Sequence, residues 1–242
     1  MKAVILAAGN SVRMGGIPKP LLKIKDSTLI ELNISKLTNF LEISEIVIVI
    51  GHKKDLIMNV IGNEYNGMKI TYVCNNEFRK TNSSFSMWLV RDLVQEGFIV
   101  MNGDTLVSEK HLERILEETC DSSVLIDIFF TKFTYEDLKV SIDNNFLVKN
   151  IGKDIILNDK TYGCPAIYKF QKSSVKAFFR VIEDSFIKNN SLKSLLSKAI
   201  QIYSAKFDIS AIYIEENIFW IDIDTPDDYQ DAINYLDSCE HY

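Results

Sequence analysis

The chain reads as an α/β fold: a doubly wound, mainly parallel mixed sheet of Rossmann-like type, with a small lobe built from its C-terminal half. Three observations predict it. Apolar runs of strand length alternate with stretches of helical spacing over 1–105. The runs at 1–8, 45–50 and 98–101 are almost unbroken in apolar residues, as in strands covered on both faces. Runs end close to a glycine, Gly9, Gly51 or Gly103, where open α/β sheets turn toward a ligand. With 242 residues and 47% hydrophobic content the chain can close one substantial core, and no stretch looks like a linker. A single domain over 1–242 is expected, divided into halves at 1–105 and 106–242.

The elements follow in order. After the strand at 1–8, apolar Leu29, Ile30, Ile34, Leu37 and Leu41 give a helix over 28–41, and 45–50 completes a β-α-β unit. A helix over 54–61, a strand over 69–73, a helix over 84–94 and a strand over 98–101 continue the winding. Beyond it, 109–118 is helical by pattern and 124–130 extended. Two extended runs around Asp143-Asn144-Asn145 signal a hairpin. A strand at 164–170, helices from about 173 and 192, a strand near 209–214 and a strand and helix across 219–236 finish the chain.

Composition excludes several classes. Against 27 basic residues stand 33 acidic ones, a net charge of −6, which argues against sequence-independent binding of nucleic acid. No apolar run approaches the roughly 20 residues of a membrane span, and the apolar start is too short for a signal peptide, so a cytoplasmic protein with no membrane partner is expected. Cys74, Cys120, Cys164 and Cys239 are widely spread without a CxxC pair, which predicts reduced thiols and neither a zinc site nor a redox motif. His52, His111 and His241 share no spacing, and no serine sits in a nucleophile elbow.

Chemistry concentrates at the N-terminus, in LAAGNSVRMGGIPKPLL. A turn of small residues after a buried strand can point successive backbone N–H groups inward as an anion nest. Arg13 stands within reach of a β- or γ-phosphate, and Lys19, after Pro18, adds a second cation on a stiffened segment. No GK[ST] follows the glycines, so this is not a Walker loop. The spacing AAGxxxRMxxxPKxLL strongly resembles the signature of nucleotidyltransferases with a GT-A-like fold. By that resemblance Leu6, Ala7, Ala8, Gly9, Asn10 and Ser11 surround the nucleotide, Arg13 and Lys19 are catalytic, and 1–105 is a nucleotide-binding half. The remainder, 106–242, becomes an acceptor-binding lobe with a C-terminal metal segment. Ser11 departs from the family pattern, which has a second glycine there.

Nucleotidyl transfer needs hard oxygen ligands for Mg²⁺. In FIVMNGDTLV the strand breaks at Gly103 and puts Asp104 at its carboxyl end. In FWIDIDTPDDY the alternation places Asp222 and Asp224 on one face of a strand, which is costly unless they are paired or bind a cation. Thr225 and Pro226 then start a helix whose first turn carries Asp227 and Asp228. This segment resembles the EIDxxxDY element of the same family, which makes Asp224 the partner of Asp104 in the metal site, with Asp222 beside them and next to the acceptor.

NNEFRKTNSSFSMWLV resembles the NPxYxxTNxxxSL segment of cytidylyltransferases that activate small phosphomonoesters or phosphonates, among them the phosphocholine, inositol phosphate, aminoethylphosphonate and phosphoglutamine enzymes. The resemblance implies CTP as donor, a small phosphorylated acceptor as partner, and Asn82, Ser84, Ser86 and Gly103 near the nucleotide. The GTA-type run of sugar-phosphate thymidylyl- and uridylyltransferases is absent. LKVSIDNN…VKNIGKD resembles the acceptor region of these enzymes and nominates Lys139 and Lys153. TYGCPAIYKF resembles their YxGIxKF strand, which adds Tyr162; Phe129 and Trp220 are further rings for a cationic acceptor. Cys164-Pro165-Ala166 replaces the usual glycine-isoleucine stretch, and the acidic YEDA-type element is missing, so the acceptor stays open, as does homo-oligomerisation. The rival readings are a sugar-1-phosphate nucleotidyltransferase, a GT-A glycosyltransferase and a silent binding module. The glycosyltransferase normally carries a DxD pair where this chain has Asp104-Thr105-Leu106, and a silent module is expected to lose the aspartates or Lys19.

Overall fold

The computed structural model describes residues 1–10 and 16–238. Strand β1 (Lys2–Ala7) is followed by a 3-10 turn at Lys19–Leu21, the ribbon β2 (Lys23–Ile24) and β3 (Ser27–Thr28), and helix α1 (Leu29–Leu37). Next come β4 (Ile46–Ile50), α2 (Lys54–Ile61), β5 (Glu64–Tyr65), β6 (Met68–Cys74), α3 (Ser83–Leu89) and β7 (Gly97–Asn102). The second half contains β8 (Thr105–Leu106), α4 (Glu109–Glu117), β9 (Ser122–Ile126), β10 (Lys139–Ile142), β11 (Val148–Gly152), β12 (Thr161–Gly163) and β13 (Tyr168–Gln171). It closes with α5 (Lys172–Ile182), a π-helical turn at Glu183–Ile187, α6 (Leu196–Ser204), β14 (Ser210–Tyr213), β15 (Ile221–Asp222) and α7 (Pro226–Ser238).

Eight strands form one mixed sheet in the order β14-β9-β13-β7-β1-β4-β6-β5. β1 runs parallel to β4 and β7, β4 to β6, and β14 to β9, while β13 is antiparallel to both β7 and β9. The winding reverses direction between β1 and β7, and a crevice opens where their carboxyl ends part. The C-terminal half thus supplies β9, β13 and β14 to the main sheet, besides a separate three-stranded sheet in the order β11-β10-β12.

Strand periodicity explains the layers. Ala3, Ile5 and Ala7 of β1 face α1, α2 and α4 through Ile30, Ile34, Leu37, Ile57, Ile61, Leu112 and Ile115. Val4 faces the opposite way, into a core with Met87, Phe178, Phe179, Ala199, Ile200 and Tyr203 of α3, α5 and α6. A third cluster of Leu22, Ile24, Leu29, Leu106, Ile223, Ala232 and Leu236 fastens α7 to the β2–β3 ribbon and to β8. Helix α1 starts on a capping box in which Thr28 and Glu31 satisfy each other's backbone donors. Among the described residues no helix is long and apolar enough to cross a membrane.

Several boundaries differ from the expectation. The strand expected at 164–170 begins only at Tyr168, because Pro165 offers no N–H and Ala166 is left-handed at φ 56°. The helix expected over 84–94 ends at Leu89, and the helix expected from about 192 starts at Leu196. Its preceding residues instead clasp α3: Asn82 N donates to Leu192 O at 2.8 Å, and Leu196 N donates to Ser83 Oγ at 2.7 Å. The hairpin expected at Asp143 is present as the turn between β10 and β11.

Candidate active site

Three elements converge at the crevice. Pro18 leads the chain into the 3-10 turn that presents Lys19, which is 9% exposed. Asp104 follows β7 by way of Gly103, whose N–H donates to Leu6 O at 2.9 Å and locks the end of β7 to β1. A side chain on Gly103 would sit 3.2 Å from both Ala7 Cβ and Leu6 O, so a glycine keeps the two strand ends together. Asp224 arrives last, because β15 pairs antiparallel with β8 through Asp222 and Thr105. Lys19 Nζ donates to Asp104 Oδ2 at 3.0 Å and to Asp224 Oδ1, so carboxylates from distant parts of the chain meet on one ammonium.

The electrostatics follow from this contact. Burial opposes the Lys19 charge, but Asp104 and Asp224 outweigh it and hold the ammonium above its ordinary value. Asp222 stands behind them, its Oδ1 accepting from Thr105 Oγ1. Desolvation of the Asp222 carboxyl, and then the charges of Asp104 and Asp224, push it up to about 7, against the pull of the Thr105 hydroxyl and Lys19. Burial pushes the Cys164 thiol up to about 12, and Cys74, Cys120 and Cys164 are free thiols.

Two cavities adjoin. The first, of 420 Å³, is lined by Leu6, Ala7, Ala8, Gly9 and Asn10 on one side and by Asn82 and Ser86 on the other, with Lys19, Asp104 and Asp224 at one end. The second, of 630 Å³, is lined by Asp222, Trp220, Phe130 and Tyr168 among others. Asp104, Asp224 and Lys153 line both cavities and so mark their junction.

Most residues nominated from the sequence lie here, and some lie elsewhere. Ser11 and Arg13 fall outside the described residues. Ser84 is buried away from the first cavity, its hydroxyl donating to Leu195 O at 2.7 Å. Gly103 supports the cleft through its backbone. Lys139 is buried beside the lobe, where its ammonium donates to Asp137 O at 2.9 Å and Lys153 O at 2.7 Å. It positions the Lys153 segment and does not itself line either cavity. Tyr162 pairs with Val140 in the three-stranded sheet and packs on the core. The sequence reading passed over Asn75, 2% exposed, whose Nδ2 donates to Thr81 Oγ1 at 2.9 Å and to Ser86 Oγ at 3.1 Å. Its only signal was an asparagine just past the end of a strand, much as Asp104 stands just beyond β7.

Mg²⁺ can be tested against this donor set. Among the described residues no group of three or more His, Cys, Asp or Glu is arranged to hold a metal. A convergent carboxylate pair is what Mg²⁺ needs when substrate phosphates and water complete its octahedron. Asp104 and Asp224, already drawn onto one cation, fit that requirement.

Comparison with known proteins supplies the family. Residues 3–134 match the MobA-like NTP transferase domain. Over 119 residues, 48% of this chain, the sequence is 32% identical to the CMP-5'-(3-aminopropyl)phosphonate synthase of Streptomyces rubellomurinus, of which it covers 19%. Over 134 residues, 52% of this chain, it is 27% identical to a UTP–glucose-1-phosphate uridylyltransferase of Haloferax volcanii, of which it covers 54%. The chain therefore spans about half the length, or less, of these curated relatives. The inositol-1-phosphate CTP transferase from T. maritima superposes with a TM-score of 0.78 at 18% identity, covering 100% of this chain and 98% of that one. With over half of its length matched by the domain, this chain belongs to the MobA-like NTP transferase family.

Proposed function

We propose that the chain is a Mg²⁺-dependent cytidylyltransferase that transfers CMP from CTP to a small phosphomonoester or phosphonate and releases pyrophosphate. The observation that carries this reading is the junction: two cavities of substrate size meet at Asp104, Asp224 and Lys153. A nucleoside triphosphate in the first and a phosphorylated acceptor in the second face each other there. CTP as donor is supported by Asn82 and Ser86 in the lining of the first cavity and by two of the similar proteins, a CMP-phosphonate synthase and an inositol-1-phosphate CTP transferase. Acceptors of the phosphocholine, phosphoglutamine, aminoethylphosphonate and inositol phosphate types all fall within the class.

An acceptor phosphate oxygen attacks the α-phosphorus in line, the bond to the β-phosphate oxygen breaks, and pyrophosphate carries the electron pair away. The attacking oxygen is already anionic, so no general base is required. The chain's own part is to align the two phosphates and meet the developing charge. Lys19, fixed at the junction by Asp104 and Asp224, supplies positive charge toward the triphosphate, and Lys153 does so toward the acceptor. Asp104 and Asp224 would hold Mg²⁺, which would supply charge neutralisation at the α-phosphate of the transferred nucleotidyl group.

The test is pyrophosphate release by the purified chain with CTP, UTP, dTTP, ATP or GTP against a panel of small phosphorylated acceptors and glucose 1-phosphate. CTP is expected to be clearly preferred. Lys19→Ala is expected to lower turnover about 100-fold or more. Asp104→Ala and Asp224→Ala are each expected to nearly abolish it, and the double variant to be little worse than either. Preference for UTP or dTTP with glucose 1-phosphate would move the chain to the sugar nucleotide branch. Mg²⁺-stimulated turnover in both single aspartate variants would refute the metal assignment.

A further inference from the structure

Among the described residues, Ser83, Asn102, Asp104, Lys153, Leu195 and Asp224 line both cavities and therefore meet at their junction. Five of them are polar or charged, as a place for reacting phosphates requires. Leu195 is the exception. Its side chain has neither donor nor acceptor, yet the residue is 43% exposed there. A lone exposed leucine on an open surface calls for no explanation. This one stands between two cavities, at a position where an apolar side chain carries a cost.

The cost is visible at helix α6. Leu195 is its N-cap residue, and no side-chain hydrogen bond caps the helix from there. Serine, aspartate or asparagine at that position accepts from the first free N–H groups of a helix, which leucine cannot do. Part of the loss is made good from α3, where Ser83 Oγ accepts from Leu196 N at 2.7 Å. The same helix holds the Leu195 backbone: Ser84 Oγ donates to Leu195 O at 2.7 Å, and Ser84 N donates to Ser194 O at 3.2 Å. A leucine kept at a capping position and pinned on both sides has its side chain fixed at the junction.

Water and an acceptor phosphate compete for the same α-phosphorus. In hydrolysis a water oxygen bonds to that phosphorus, the bond to the bridging β-phosphate oxygen breaks, and pyrophosphate leaves with the electron pair. The water must also pass a proton to its surroundings. An acceptor oxygen that is already anionic passes none, so a wall without hydrogen-bonding groups disfavours water and spares the acceptor. On the cytidylyltransferase reading of this cleft, we infer that Leu195 is a specificity-determining residue that selects the phosphorylated acceptor over water. It excludes water from the junction, so that CTP enters transfer and is not hydrolysed to CMP.

The experiment incubates the full chain with CTP and Mg²⁺ without acceptor and follows CMP and pyrophosphate. A parallel series adds the panel of small phosphorylated acceptors, and calorimetry measures CTP binding. Leu195→Ser is expected to form CMP at least about tenfold faster than the parent, with CTP affinity within about twofold. Because serine caps α6, it is expected to melt no lower. Leu195→Met keeps an apolar side chain and is expected to hydrolyse CTP at the parent's rate. Adding Asp104→Ala to Leu195→Ser is expected to remove the hydrolysis, which ties it to this site. CMP formation by Leu195→Ser no faster than by the parent, equal acceleration in Leu195→Met, or hydrolysis that survives Asp104→Ala overturns the inference, while the cytidylyltransferase reading stands if the parent transfers CMP. Accelerated CMP formation by Leu195→Ser in a chain whose parent transfers to no acceptor supports the role of Leu195 and counts against that reading. Absence of both CTP binding and transfer overturns the two together.

Discussion

Lys169 is fully buried in β13, and its ammonium donates to Ile115 O and Leu116 O, each at 2.9 Å, and to Glu118 O. These carbonyls end helix α4, where the chain has no further N–H to offer and where the helix dipole favours a cation. Lys169→Met keeps most of the volume but strips the partners from these buried acceptors. Urea denaturation is expected to show a loss of about 2–4 kcal/mol, with turnover per folded molecule unchanged. Such a lysine is illegible in sequence, since YKF at the end of a strand gives no hint that its middle residue crosses to a helix terminus. Lys139 fails the sequence reading for the same reason: which donor meets a carbonyl and which meets solvent is decided by the register of β10 against β11 and β12. Lys19, Asp104 and Asp224 were legible because their motif records a chemistry and not a packing choice.

At the scale of elements, the C-terminal strand and helix are held to the site by few contacts. β15 pairs with β8 over only Ile221–Leu106 and Asp222–Thr105, and Ile223, fully buried, joins Leu22, Leu29, Ala232 and Leu236 beneath them. Ile223→Ala leaves a cavity there, worth about 2–4 kcal/mol of local stability. The expected signature is local: hydrogen exchange quickens across β15 and α7, the Mg²⁺ concentration for half-maximal turnover rises several-fold, and amides of β1 and β4 keep their protection. If β1 and β4 lose protection equally, the segment is not an independent unit. The parallel strands were read accurately because unbroken apolar runs such as IVIVI have few alternatives. A strand at β15 was expected, but the β2–β3 ribbon and β8 were not seen, since two-residue strands have no period and exist only through their tertiary partners.

The whole molecule's response to acid is shared between the cleft, where Asp222 takes up a proton on folding, and groups elsewhere. Burial holds His111 down from its ordinary 6.5 to about 4, and its ring nitrogen accepts from Ser108 N in the capping box of α4. At this site the unfolded chain therefore binds a proton that the folded chain refuses, and the contribution of His111 to stability falls as the pH drops from about 6.5 to 4, by roughly 3 kcal/mol. Glu45 acts lower on the scale. Desolvation opposes its charge, but hydrogen bonds from Lys2, Thr71 and Lys69 win and hold it at about 2, so its contribution is present above 4.5 and disappears toward 2. His111→Gln retains a side-chain acceptor at the third helical position and removes the titration. Asp222 adds the opposite slope to both proteins over this window, so the expected result is a difference: the urea midpoint of His111→Gln gains on the parent's as the pH drops from 6.5 to 4, and the gap stays constant below 4. Equal slopes in the upper window would acquit His111.

Lys19 and Asp224 lie 205 positions apart, and that separation sets a timetable. A chain made from its N-terminus presents Lys19 and Asp104 early, and the N-terminal strands can begin to associate while synthesis continues. The partner carboxylate has to wait until β15 has emerged and been laid against β8. A product cut short before Ile221 keeps every strand of the main sheet and the residues that line the first cavity, apart from Asp224. On the proposed function, competence for transfer therefore arrives as one late event of translation and does not grow with the length of chain already made.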